Sequence, residues 1–193
     1  MIEVENCLSC CTTCGENCCH TPKISSFIGV NLEDARRIKA HTNLDYAKFL
    51  TFTPLTSKVV KELVEEVKKS QDTESSLRLR LLTSQNRLLR IKSLRGRCYF
   101  LNQENRCTIY EISPGICKLY PYWYKKDQEG ELTPVLHEGG HCCALSHKYL
   151  DPKNLPLSER ETLIEHARKV ESGNEDYLAE VEKFTLENNI RRN

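Results

Sequence analysis

The sequence predicts a small, loop-rich α+β fold with short hairpins and helices, followed by a C-terminal helical segment. Three observations predict it. Apolar residues recur at helical spacing in some stretches and alternate in others. Turn-forming residues separate those stretches at short intervals. Pro152 and Pro156 then mark a boundary before two consecutive helical patterns. A chain of 193 residues fits one domain with an appendage, here 1–150 followed by 151–193.

The elements follow in order. "SSFIGV" (25–30) reads as a short strand. In "NLEDARRIKAHTNL", Asn31 is placed to cap a helix, and Glu33 and Asp34 complement the positive end of its dipole. In "LTSKVVKELVEEVKKS", Val59, Val60, Leu63, Val64 and Val67 form one apolar stripe, with Ser57 as the cap. These patterns place helices at 31–50 and 56–70.

The style then changes. Leu77, Leu79 and Leu81 alternate with Arg78 and Arg80, as in a half-buried strand. "TSQN" turns, and "RLLRIKSL" returns as a hairpin leading into "GRCYFL". "NQEN" is a second turn, and Pro114 in "SPGICKLY" begins a short helix. "YPYWY" and "LTPVL" form another hairpin with Gly130 in its turn. Ser158 and Glu161 suggest a capping box opening the helical segment 158–190. There is no internal repeat and no low-complexity tract.

The formal net charge of +1 argues against general nucleic-acid binding, which usually needs a large positive surplus. No apolar run approaches the roughly 20 residues of a membrane span. "MIEVENCLSC" lacks a basic region followed by an apolar one, so no signal peptide is expected. The expected setting is a reducing cytoplasm. There, a chain with 11 cysteines reads as metal-binding rather than disulfide-bonded, and an odd count cannot pair completely. G-x-G-x-x-G, P-loop and G-x-S-x-G motifs are absent, as is the C-x3-C-x2-C signature of radical enzymes.

The cysteines fall in two groups. "ENCLSCCTTCGENCCH" holds Cys7, Cys10, Cys11, Cys14, Cys18 and Cys19. Cys7/Cys10 and Cys11/Cys14 have the C-x2-C spacing with which two thiolates face one ion from a tight turn. Gly15 follows Cys14, where a turn with positive φ would place glycine. Cys98, Cys107, Cys117 and the pair Cys142/Cys143 lie far downstream, so a metal would join distant parts of the chain. The adjacent Cys18 and Cys19 tend to diverge, so they serve different centres or one of them is structural. Four thiolates suffice for one zinc or one cluster, and eight would supply two centres, or one centre plus reactive thiols.

These motifs, "CTTCGENCC", "CYFLNQENRCTIYEISPGICKLYPYW" and "HCC", resemble the YkgJ-like CxxCxxCC cysteine-cluster proteins, described as zinc- or iron-chelating. The likeness covers roughly residues 11–143, interrupted by a long middle segment. It implies a metal site of Cys11, Cys14, Cys18, Cys19, Cys98, Cys107, Cys117 and Cys142, with Cys143 as the alternative to Cys142. Cys7 and Cys10 stand outside the pattern. The sequence departs from it by carrying Ser113 where the family has Arg before Pro, and by one extra residue between Cys14 and Cys18. The implied cofactor is an iron–sulfur cluster, [4Fe-4S] in type, or Zn2+, with iron–sulfur ahead. The implied role is metal binding without catalysis. The alternative is a metal-dependent enzyme, a SAM-dependent protein lysine methyltransferase resembling flagellin lysine-N-methylase.

Other residues invite functional readings. His20, His141 and His137 lie near cysteines, as ligands or as partners of ligands. Arg97, Arg106 and Lys118 each adjoin a cysteine and would offset the negative charge of a thiolate-bound metal; read equally well, they are solvated side chains near loops. Arg78, Arg80, Arg87, Arg90, Lys92, Arg95 and Arg97 form a basic segment open to an acidic partner; its plainer reading is the wet face of a hairpin. "YPYWY" reads first as core packing.

Overall fold

The computed structural model describes residues 19, 28–70, 82–83, 85–136, 151–173 and 177–190. Within them, helices combine with two-stranded antiparallel pairs in an α+β architecture that ends in helices. No described helix is long and apolar enough to cross a membrane.

Helix α1 spans Leu32–Thr42. Asn31 is extended, and its Oδ1 accepts the Asp34 N–H at 2.7 Å, the expected cap. Asn43 stops the helix in the left-handed region (φ 54°), returning its N–H to the Lys39 carbonyl. The helix expected to run to residue 50 is therefore split. One turn, α2 (Tyr46–Phe49), leads directly into strand β1 (Leu50–Pro54). The β-prone "LTFT" pairs here instead of winding on.

The partner of β1 is β2 (Arg87–Ile91), antiparallel, with Leu50 opposite Ile91 and Phe52 opposite Leu89. All four side chains are buried. Each contributes about 1.5–3 kcal/mol by leaving water. Residues 71–81, including the expected strand at Leu77–Leu81, lie outside the described residues, and the described partner of the returning strand is β1. The turn before β2 forms as expected: the Asn86 N–H donates to the Thr83 carbonyl at 2.8 Å, with φ 56° at Asn86.

Between these strands runs α3 (Ser57–Ser70). Its cap is Thr56 rather than Ser57, since Thr56 Oγ1 accepts the Val59 N–H and Ser57 is already helical. Val59 and Val60 of the apolar stripe lean on the core.

Two further hairpins follow. β3 (Ser93–Leu94) and β4 (Arg97–Cys98) close around Arg95 and Gly96, both at positive φ, as a two-residue hairpin turn demands. β5 (Tyr122–Lys126) pairs with β6 (Leu132–Leu136) across a turn with Gly130 at φ 88°. Asp127 fixes that turn by accepting the N–H groups of Glu129 and Glu131. Tyr122, Trp123 and Tyr124 are buried, so the aromatic run packs the core.

The short helix expected after Pro114 is α4 (Gly115–Leu119). Two longer helices end the fold, α5 (Leu157–Ser172) and α6 (Tyr177–Glu187). The expected capping box at Ser158 does not form. Pro156, at φ −50°, is the residue that opens α5, which carries Ser158 into the first turn, and no side chain caps the end. Helix α5 packs on α4 and on the β5–β6 hairpin. The Tyr124 hydroxyl donates to Glu171 at 2.7 Å across that junction. Helix α6 inserts Tyr177, Val181 and Phe184 into the core that holds Phe49 and Leu89. The Phe184 ring meets Tyr46 edge-on at 4.8 Å.

Candidate metal centre

Cys98 ends β4, and its N–H donates to the Cys19 carbonyl at 2.8 Å. That bond ties Cys19 to the β3–β4 hairpin. Cys107 stands on a second, smaller loop. Leu101 bridges Cys107 in antiparallel fashion, and Asn105 supplies a left-handed residue (φ 58°) at the turn. The Asn102 side chain accepts the Arg106 N–H at 2.8 Å, and the Thr108 N–H reaches the Phe100 carbonyl at 2.9 Å. Cys117 lies in α4, where its N–H donates to the Pro114 carbonyl at 2.8 Å.

Side chains from three separate parts of the chain thus meet. Cys19, Cys98, Cys107 and Cys117 line one cavity of about 30 Å³, closed by Ile28, Ile91, Phe100 and Ile109. All four are thiols rather than disulfides. Cys19 and Cys98 are buried, and Cys107 and Cys117 are partly so. The Cys98 thiol is held well above its ordinary pKa, first by its hydrogen bond with Cys19 and then by burial. Two adjoining thiols in an apolar wall give up their protons when a cation replaces them, which is the chemistry of thiolate ligation. Four sulfur donors also fit the ligand preference of zinc and of iron in clusters.

The cavity gathers these thiols without completing a shell. Among the described residues, no three Cys, His, Asp or Glu side chains stand in an arrangement that would hold a metal ion. Cys11, Cys14, Cys18 and Cys142 of the expected set, and Cys143, lie outside the described residues. So do Cys7, Cys10, His20, His137 and His141.

The cations beside the cysteines have local tasks. Arg97 holds the Cys107 loop, donating to the Asn102 carbonyl at 2.9 Å and to Asn105 Oδ1 at 2.8 Å. Lys118 lies over the Tyr110 ring, 4.2 Å from its centre, and Arg106 is exposed. Most of the described basic segment is likewise engaged internally. Arg87 sits over Phe52, Arg90 donates to Thr53, and Lys92 reaches the Ala47 carbonyl.

The sequence reading missed one structural support. Arg37 of α1 donates to the carbonyls of Ile112 (3.4 Å) and Ser113 (3.0 Å), while pairing with the buried Asp34. Asp34 also accepts the Gly115 N–H at 3.3 Å. Together they pin the segment between Cys107 and Cys117 to α1. Both were visible only as ordinary charges on a helix, because their partners lie far along the chain.

A family model spanning residues 7–135 matches the chain. The chain belongs to the CxxCxxCC family. That family is described as a "putative zinc- or iron-chelating domain". No curated protein and no solved structure matches the chain. CxxCxxCC membership supports metal binding by a cysteine cluster, with zinc or iron as the metal.

Proposed function

We infer that this CxxCxxCC protein chelates zinc or iron through thiolates, with Cys19, Cys98, Cys107 and Cys117 as ligands of one centre. Cys11, Cys14, Cys18 and Cys142 complete the ligand set that the family pattern implies. The observation that carries this reading is the meeting of the four described cysteines at one cavity. No catalytic role is assigned. A bound metal would supply folding energy and join the N-terminal run to the β3–β4 hairpin and to α4.

Four thiols serve either a single zinc or iron ion or an iron–sulfur cluster, which the sequence put ahead. Anaerobic purification followed by zinc, iron and acid-labile sulfide analysis, with a visible spectrum, separates these forms. Zinc, or iron without sulfide, supports the single ion; iron with sulfide supports the cluster. Folded protein carrying neither metal sinks the reading. The methyltransferase alternative draws no support from the family match.

A further inference from the structure

A second cavity, of about 290 Å³, shares Ser113 with the metal cavity. Its volume is near the lower end of the roughly 300–1,000 Å³ typical of small-molecule sites. Its lining carries both signs of charge: Glu33 of α1 and Glu111 of the 3-10 turn Tyr110–Ile112, and Lys118 of α4 with His166 and Lys169 of α5. Asp34 and Arg37, also in the lining, pair with each other.

Lys118, Glu33 and Glu111 have no ion-pair partner among the described residues. Lys169 is held by Glu165 at 2.6 Å. His166 is partly buried, and burial together with Lys169, Lys118 and Arg37 lowers its pKa against the pull of Glu165. The imidazole thus sits among the positive charges of Lys169, Lys118 and Arg37, beside which an anion is favoured. A simple anion would meet Glu33 and Glu111, and a simple cation would meet Lys118.

We propose that this cavity binds a small zwitterion of the amino-acid class, with its carboxylate on Lys118 and His166 and its ammonium on Glu33 and Glu111. A ligand carrying both charges matches both sets of lining charges at once, and the cavity volume sets its size. The shared Ser113 would place it beside the metal centre, although binding does not depend on which metal is held.

The test is calorimetric titration of the full chain, purified with its metal. The probes are glycine, L-alanine, L-glutamate and L-lysine, each beside its N-acetyl and amide derivatives, with acetate and inorganic phosphate as controls. Saturable binding of at least one free amino acid is expected. Each blocked derivative should bind about tenfold more weakly or worse, since each lacks one charge. Glu111→Gln and Lys118→Met should each weaken binding to a similar degree. Lys118 adjoins Cys117, so Glu33→Gln, at an exposed position, provides a second variant with no such neighbour. Absence of saturation by all four amino acids overturns the proposal. So does equal binding of acetate or phosphate that is unaffected by Glu111→Gln, which would make the cavity a plain anion site.

Discussion

The backbone N–H of Cys98 donates to the carbonyl of Cys19, 2.8 Å away, so the main chain brings these two cysteines together before any side-chain chemistry is considered. Replacing either residue with serine leaves that bond available and removes only the sulfur. Cys19→Ser and Cys98→Ser are each expected to weaken metal binding by at least about tenfold, or ~1.4 kcal/mol. Cys107→Ser and Cys117→Ser should do the same, and all four should lower the melting temperature, because metal binding contributes to folding. Metal analysis after dialysis against a mild chelator, with calorimetry, reads both effects. Four variants with wild-type occupancy and melting temperature would rule out this ligand set.

The Tyr177 hydroxyl accepts the Leu89 N–H at 3.1 Å, joining α6 to β2 inside the core. Tyr177 and Leu89 are both fully buried. Tyr177→Phe keeps the ring and strands a buried backbone donor. The expected cost is about 1–3 kcal/mol in urea-induced unfolding. A loss within error would mean that water reaches Leu89 and α6 is loosely seated.

Arg37 both neutralises Asp34 and pins the carbonyls of Ile112 and Ser113. Burial still outweighs Arg37 and holds the Asp34 carboxyl above its usual pKa. The sign follows directly: the folded state binds this proton more tightly than the unfolded state. Its contribution to stability is full below the ordinary Asp pKa of about 3.9 and is lost as pH rises through the folded value. Arg37→Met removes the opposing cation and should enlarge that loss. At neutral pH its cost is expected near the lower end of about 3–5 kcal/mol, since Arg37 is partly exposed. Denaturant melts of Arg37→Met and of Arg37→Met with Asp34→Asn, at pH 4.5 and 7.5, should show the second change relieving the defect more at the higher pH. Equal relief at both values would remove Asp34 ionisation as the cause.

Local signals in the sequence carried much of this architecture. Asn31 capped α1 as its side chain allowed, Pro114 opened α4, and Gly130 lay in the β5–β6 turn. Cys98, Cys107 and Cys117 were named as ligands through the family resemblance; they line one cavity with Cys19, and whether they bind metal is for the substitutions above to test. What was missed depended on distant partners. Leu50 was placed at the end of a helix and "TFTP" was given no strand, because the pairing of Leu50–Pro54 with Arg87–Ile91 is invisible in a local window. Ser57 and Ser158 had the chemistry of caps, yet Thr56 and Pro156 occupied those places. Asp34 and Arg37 resembled any surface pair until α1 met the 3-10 turn. The opposed charges of the second cavity likewise come from four elements that only the tertiary fold assembles.

Helix α4 lies so close to α5 that a Cβ added at Gly115 would stand 2.6 Å from Val170 Cγ2. Real side chains do not approach so closely, and Val170 is buried, so it cannot swing into solvent. Gly115→Ala should therefore push α4 from α5 and lengthen the hydrogen bond from the Gly115 N–H to Asp34. Overpacking of this kind costs about 1–3 kcal/mol. Because Cys117 rides on the same short helix, metal affinity should fall together with stability. Val170→Ala alone leaves a small void and is also expected to destabilise the fold. Combined, the two changes exchange space: the new methyl enters the volume that Val170 gives up. The double variant should be more stable than the sum of the single effects by at least about 0.5–1 kcal/mol. Urea melts of the four proteins, paired with metal retention at each, make up the cycle. Strict additivity would show that Gly115 and Val170 do not share that space, and recovery of stability without recovery of metal would separate the packing of α4 from the placement of Cys117.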